Sequence, residues 1–551
     1  MKKFDDGFYI KTFAELDGTD EGNEKLLMEG VIMGISEIEH YSIFVVTKCP
    51  KCKDEQQVRL DDFKDWRHFT FPNICEQCGT GLNVIQHDKE TVRKFLFGED
   101  SATNPITMTA FVFKDDVYRL KPGEKIKING VIRSVRVNPK NETFKRVLDI
   151  KQLSTSTSKV IMPTEEEKEE FHKMDKSKII SSIAPQIKGH EIVRESLTIG
   201  LLGGVQTSTI RGDINVLLMG DPGVAKTQFL KFCTSATQRS DYTSGKSASQ
   251  SGLCAGVDNL SDGTRVAKPG SVIMCNGGLC CIDEFEKMNP SDRAGLHEVL
   301  ETQTYSLRKI GINITWDAKT TIFAAANPRG SQWDSQLSIK ENVNLPYSLL
   351  SRFGIIILIR DIPNKEFDLE VARHIRKTKC GITQDVLPPE QLKKFINYAR
   401  TKNPVLTDDA ADAIEKYWVD LRCLSQEEGS ILIDNRTLQD LYRIAEAYAR
   451  LDLSDLVTEL HAQKAIKLLG RTLDTLGMKS PGQLTESIMK HINKQEFLMT
   501  LFKDGITEKS AILKMIGFKH WYPTEESAHW EILQLKNKGF IFENSGKLKL
   551  V

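Results

Sequence analysis

The 551-residue chain has no apolar run approaching the roughly 18 residues that a helical bilayer span needs, so no membrane anchor is expected. Its opening stretch, MKKFDDGFYI, carries charges but no apolar core of a signal peptide, and secretion is not expected either. Net charge is also lacking. Lys and Arg number 75, Asp and Glu 75, and the formal balance is zero. That balance argues neither for nor against nucleic acid, because an overall zero hides local patches. One such patch lies in 131–160, where Arg133, Arg136, Lys140, Lys145, Arg146, Lys151 and Lys159 face only Glu142 and Asp149. Alone, the run reads equally well as a solvated face or as a nucleic-acid contact.

What is present is ordinary soluble composition, 40% hydrophobic and 27% charged, in a chain long enough for about three or four domains. The eleven cysteines divide in two. Cys49, Cys52, Cys75 and Cys78 form two pairs. The other seven (Cys233, Cys254, Cys275, Cys280, Cys281, Cys380, Cys423) lie mostly among apolar residues and read as reduced core thiols of an intracellular protein.

Residues 25 to about 153 are rich in strand patterns, at 27–35, 42–47, 107–113, 125–137 and 143–150, with Pro-Gly and Asn-Pro turns between them. Short strands without intervening helices suggest a small barrel, with the cysteine pairs inserted between the second and third strands. The polar run STSTS (154–158) reads as a linker. Thr164 with Glu167 makes a capping-box signature for a short acidic helix. From about 179 to 362 strand and helix patterns alternate as in a parallel α/β sheet, with strands expected at 215–219, 279–282, 320–326 and 355–359. A helical region follows to about 475. In the last seventy or so residues, helix patterns precede a hairpin around Asn544-Ser545-Gly546, which suggests a winged helix. The expected units are therefore 1–153, a DNA-binding barrel with a zinc ribbon at 48–84; 154–178, a linker; 179–362, an α/β ATPase core; 363–475, a helical lid; and 484–551, a winged helix.

The spacing Cys49-x2-Cys52, 22 residues, Cys75-x2-Cys78 offers four thiolates on two knuckles. Two disulfides are the competing reading, which an intracellular setting disfavours. Four thiolates leave zinc no open position, so the metal would be structural.

The segment Gly220-Asp221-Pro222-Gly223-Val224-Ala225-Lys226-Thr227, then Gln228, sits between an expected strand and an expected helix. That order lets backbone N–H groups and the helix N-terminus cradle phosphates, Lys226 reach the β/γ oxygens and Thr227 bind Mg²⁺. Ala225 stands where most such loops have glycine, and taken alone that departure leaves a chance match open. A second element counters it. The apolar strand Leu279-Cys280-Cys281-Ile282 ends in Asp283-Glu284, placed to hold Mg²⁺ through its water shell and to activate the attacking water. A third strand ends in Asn327, which could touch the same water or the γ-phosphate.

Together these residues resemble one family, the minichromosome maintenance (MCM) helicases of the AAA+ superfamily. The segments that carry the resemblance are SIAPQIKGHE (182–191), GDPGVAKTQ (220–228), CIDEFEKM (281–288), AAANP (324–328), LLSRFG (349–354) and NRTLQDLYRIAEAYARL (435–451). The family also carries alanine before the lysine. The resemblance implies that Lys226 and Thr227 are the Walker A pair, Asp283 and Glu284 the Walker B pair, and Asn327 sensor 1. It implies that Arg352 is an arginine finger reaching into the neighbouring subunit's site, Arg436 the sensor-2 arginine, and Arg211 a further arginine acting across the subunit interface. It implies DNA contacts from a hairpin with Arg308 and Lys309 at its tip, and from the basic run with Arg136, Lys140, Lys145 and Arg146. An insert at 255–270 also resembles the family's.

The expected function is thus an ATP-dependent helicase in DNA replication. It would use ATP, Mg²⁺ and structural Zn²⁺, and would act as a homohexamer in one ring or two on single-stranded and forked DNA. The alternative is an ATP-assembled, DNA-encircling scaffold that does not unwind. The expected setting is a prokaryotic cytoplasm, or the nucleus if the source is eukaryotic. Three departures from the family pattern are expected to matter: the chain starts almost at the barrel, as in a short form without the helical N-terminal subdomain; Gly354 follows SRF in place of an acid; and Glu286 stands for the usual aspartate.

Overall fold

The computed structural model describes residues 8–10, 25–59, 73–99, 106–138, 141–155, 161–207, 210–259, 264–309, 312–330, 332–334, 336–380, 386–428, 433–478, 541–544 and 547–550. Its N-terminal part is a barrel. Lys25–Lys48 pairs with Asn83–Gly98, which pairs with Thr107–Phe113, then Asn141–Thr155, then Lys125–Asn138, which closes back onto Lys25–Lys48. Inside lie Leu26, Met28, Ile32, Phe95, Phe97, Ile126, Ile128 and Leu148, all essentially buried.

Two expectations need correction here. The strands expected at 27–35 and 42–47 are one strand of 24 residues, bent by register shifts rather than broken by a turn. Asn83–Gly98 was not anticipated. Its first half (NVIQHDK) is exposed on both faces as part of a ribbon beyond the barrel, so it lacks the alternation that marks a half-buried strand.

The helix Glu165–Lys173 opens at Thr164 with both capping-box bonds made, Thr164 Oγ1 accepting from Glu167 N and Glu167 Oε2 from Thr164 N. Beyond it, five parallel strands stand in the order Ile355–Ile359, Val216–Gly220, Thr321–Ala326, Leu279–Asp283, Ser240–Ser244. Successive residues of the inner strands point into two different cores. Val216 and Leu218 join Phe229, Phe323 and the lid helices, while Leu217 and Met219 join Phe285, Leu296 and Leu349. Burial on both faces stabilises each such side chain by about 1.5–3 kcal/mol and removes any polar alternation. Ser240–Ser244 (SDYTS) was missed because it is a polar, half-buried edge strand.

After the sheet come the helices Lys365–Lys379, Pro389–Thr401, Asp408–Glu428, Asn435–Leu451 and Glu459–Thr475. The insert is a hairpin, Ala255–Asn259 with Arg265–Pro269, and it joins the barrel sheet: Val266 pairs with Ser36 and Ala267 with Ile35. Lys94, almost wholly buried, donates to Thr264 Oγ1 at 2.9 Å across the same seam. At the C-terminus the hairpin Ile541–Asn544 with Lys547–Leu550 is present. The helices of the expected winged helix lie outside the described residues. Five of the seven scattered cysteines are buried, but Cys380 and Cys423 are exposed, so those two are not core thiols.

Candidate ATPase site and zinc knuckles

The strand Val216–Gly220 delivers the loop, and the helix Lys226–Ser235 follows it. Gly220 has φ 145, and a Cβ there would lie 1.8 Å from the Ile359 carbonyl oxygen, so no other residue fits where the loop leaves the sheet. Ala225, just before the lysine, adopts φ 63 in the left-handed region. Asp221 braces the loop, its two oxygens accepting from Trp333 N (2.7 Å) and Asp361 N (2.9 Å). The Lys226 amine donates to the Gly220 and Asp221 carbonyls at 2.8 and 2.7 Å. Burial lowers its pKa to about 8, against the opposing pull of Asp283, Glu286 and Asp221.

The strand Leu279–Asp283 brings Asp283 beside this loop, where its Oδ2 accepts from Thr227 Oγ1 at 2.6 Å and from Tyr242 OH at 2.9 Å. A carboxylate and a hydroxyl so close are a fitting donor pair for Mg²⁺. Glu284, with φ 51, accepts from Ser244 Oγ at 3.3 Å and pairs with Lys287. Asn327 donates to Glu286 Oε1 at 3.3 Å, and the other Glu286 oxygen is buried without a partner. Pro222, Gly223, Thr227 and Gln228 are exposed, with Val224 half-buried, so the loop opens to solvent.

Three residues here escaped the sequence reading. Tyr242 and Ser244 lie on the unrecognised edge strand, and nothing in SDYTS marks them. Glu301 is the third. It accepts from Arg352 Nη2 at 2.5 Å and from Arg436 Nη2 at 3.1 Å.

The structure gathers the expected arginines away from the loop. Arg211, Arg352 and Arg436 line one cavity of about 410 Å³ with Glu301, Gln439 and Arg443, and no residue of the 220–228 loop or of the Asp283–Glu284 pair lines it. Arg211 donates to the Leu300 carbonyl and Arg352 to that of Ser348. Of the expected DNA residues, Arg308 and Lys309 are exposed at the end of the hairpin Thr304–Lys309 with Ile312–Asp317, whose base is closed by stacked Tyr305 and Trp316. In the basic run, the backbone pairs Arg136 with Phe144, Val135 with Lys145 and Ser134 with Arg146. Lys140 lies outside the described residues.

The four paired cysteines also converge. Cys49 and Cys78 sulfurs are 3.3 Å apart, Cys52 and Cys75 3.4 Å, and all four lie within 4.8 Å of one another. These gaps are far longer than a disulfide bond (about 2.05 Å) and close to the roughly 3.8 Å between thiolates on one tetrahedral zinc. Each knuckle turns on a positive-φ residue after its second cysteine, Lys53 and Gly79. The donor set fits structural zinc, which would cross-link the two knuckles.

A phosphate loop and an acidic pair at the carboxyl ends of parallel strands, under a helical lid, define a P-loop domain of the AAA+ class. Family comparison narrows the class. Residues 19–136 match the MCM OB domain, 165–379 the MCM P-loop domain and 390–473 the MCM AAA-lid domain. The chain belongs to the MCM family. It is 33% identical to the minichromosome maintenance protein MCM of Saccharolobus solfataricus, over 78% of this chain and 63% of that protein. It is 30% identical to DNA replication licensing factor mcm4-A of Xenopus laevis over 81% of this chain and 56% of the relative, and 33% identical to mcm7-B of the same organism over 74% and 59%. The chain thus spans less than two thirds of the length of these curated relatives. No helix among the described residues is long and apolar enough to cross a membrane.

Proposed function

We propose that this chain is an ATP-hydrolysing DNA helicase whose copies form a hexameric ring, translocate on single-stranded DNA and unwind forked duplex during replication. The observation that carries this reading is the division of the ATPase chemistry between two places in one chain. Lys226, Thr227, Asp283 and Glu284 stand together, while Arg352, Arg436 and Arg211 line a separate cavity. An ATP held at the first place would have its transferring phosphoryl charge stabilised by arginines of a neighbouring copy.

In this reading Lys226 leaves the loop carbonyls for the β/γ oxygens, and the exchange of neutral acceptors for phosphate offsets the cost of its buried charge. Thr227 and Asp283 would hold Mg²⁺, which shields the phosphate charge. Glu284 takes the proton of the attacking water, and Asn327, steered by Glu286, orients that water. The hairpin carrying Arg308 and Lys309 and the basic run around Arg136, Lys145 and Arg146 grip the DNA backbone without reading sequence. The boundaries set out above (barrel to 153, ATPase core 179–362, lid to 475, winged helix from 484) are our working division, and the setting we propose is a DNA-associated cytoplasmic one.

The test is forked-duplex unwinding by the wild type beside Glu284→Gln. The wild type should unwind. The variant should assemble and bind DNA yet lose unwinding, with ATPase lowered about 10²–10⁴-fold. Equal DNA binding with no unwinding by either protein would favour the DNA-encircling scaffold. For the shared site, Lys226→Ala and Arg352→Ala proteins, each inactive alone, should recover ATPase on mixing.

A further inference from the structure

Glu301 is the penultimate residue of the helix Pro290–Thr302, which starts six residues after Glu284 and ends at the foot of the exposed Lys309 hairpin. Each of its carboxylate oxygens takes a different guanidinium, Oε2 that of Arg352 and Oε1 that of Arg436. Around it the charge is lopsided. Arg211, Arg352, Arg436 and Arg443 share the same cavity, and Asp440 is already engaged with Arg443 at 2.5 Å. Without Glu301, guanidiniums a few ångströms apart would repel each other in a partly dry site. Arg352 is the more dependent of the pair. Its side chain is only 10% exposed, and among the described residues its Nε is buried without a partner and only Glu301 and the Ser348 carbonyl orient its terminal nitrogens.

Glu301 itself is 51% exposed, and an ion pair so open to water adds little to stability. Its placement is therefore better explained by what it aims than by what it holds together. The helix end adds to the effect, because Arg211 caps the Leu300 carbonyl there and the negative pole of the helix dipole faces all three arginines.

We propose that Glu301 is the positioning residue of the trans arginines, bridging Arg352 and Arg436 so that both are presented together to the nucleotide held by a neighbouring copy. The proposal rests on the shared-site reading above. When the neighbour's ATP docks, its γ-phosphate, carrying more charge than a carboxylate, draws the two guanidiniums forward as a preformed pair. When phosphate leaves, Glu301 takes them back.

The experiment is ATPase by mixed full-length proteins. Glu301→Gln alone should show kcat lowered roughly 10- to 100-fold, the scale of loss expected from misplacing a catalytic group, with KM within about twofold because the P-loop of the other copy binds the ATP. Glu301→Asp, too short to reach both arginines, should fall between. Mixed with Lys226→Ala, which retains a competent arginine face, Glu301→Gln should recover activity. Mixed with Arg352→Ala, it should not, since neither protein then supplies that face. The mixture of Lys226→Ala with Arg352→Ala is the control, and absence of recovery there would strike the shared-site reading itself. With that control positive, the proposal is overturned by a wild-type rate for Glu301→Gln alone, by recovery with Arg352→Ala, or by recovery with neither partner.

Discussion

Ala225 is the residue at which the loop departs from the general P-loop pattern, and the backbone shows what the departure costs. With φ 63 it sits in the left-handed region at the N-terminus of the helix Lys226–Ser235. A Cβ in that conformation costs about 1–2 kcal/mol, of which glycine's extra freedom in the unfolded chain returns about 0.5–1 when the residue is replaced. Ala225→Gly should therefore stabilise the chain by a net ~0.5–1 kcal/mol, read as a small upward shift of the unfolding midpoint without nucleotide. A downward shift would mean that the Ala225 methyl, which packs against the core beside Val224 and Phe232, contributes more than the strain removes. The strain falls next to Lys226, where a fixed loop geometry matters more than local stability. The same scale explains Asp221. Its side chain is spent on Trp333 and Asp361 backbone N–H groups, so it acts as a brace and is not free to meet phosphate.

At the scale of elements, legibility followed burial. Four strands of the ATPase sheet, the three inner ones and the edge strand Ile355–Ile359, were readable because both faces are covered and the sequence runs apolar without interruption. The helix at Glu165–Lys173 was readable because its cap is written in side chains, Thr164 and Glu167. Ser240–Ser244 and the outer half of Asn83–Gly98 were not, because what holds them is backbone pairing, which is blind to side-chain type. The Lys226–Asp283 half of the site could be read from local motifs. Tyr242, Ser244 and Glu301 could not, since each reaches the site from an element with no motif of its own. The insert hairpin was legible as a segment, but its pairing with the barrel was not. That pairing makes a prediction. A Cβ at Gly34 would lie 2.9 Å from the Ala267 carbonyl oxygen, so Gly34→Val should separate Arg265–Pro269 from the barrel strand. Amide exchange should speed up through 255–269 while protection in the strand Val216–Gly220 stays intact. Unchanged exchange in the insert would show that the seam is held by the Lys94–Thr264 contact rather than by the ladder.

At the scale of the whole molecule, the DNA binding proposed above could not come from the overall field of a chain with net charge zero, so its affinity would come from where the cations are concentrated. Two β-hairpins concentrate them, one in the ATPase domain and one on the barrel, and the first is braced at its base. Tyr305 and Trp316 stack at its base with ring centroids 6.5 Å apart, Ile314 packs against the barrel core, and Arg308 and Lys309 stand exposed at its end. The hairpin follows the helix that carries Glu301 after one residue, Gln303, so the proposed arginine face and Lys309 lie on consecutive elements of the chain. Lys309→Ala should therefore lower both DNA affinity and the stimulation of ATPase by DNA, and should remove most forked-duplex unwinding. Each lost phosphate contact should reduce the slope of log affinity against log salt by about 0.7 on single strands, whatever the sequence. Replacing Arg136, Lys145 and Arg146 together should flatten that slope further but spare more of the stimulation, since those residues are joined to the barrel and not to the helix. Equal loss of stimulation from both sets would place the coupling in DNA binding itself, and not in the continuity of helix and hairpin.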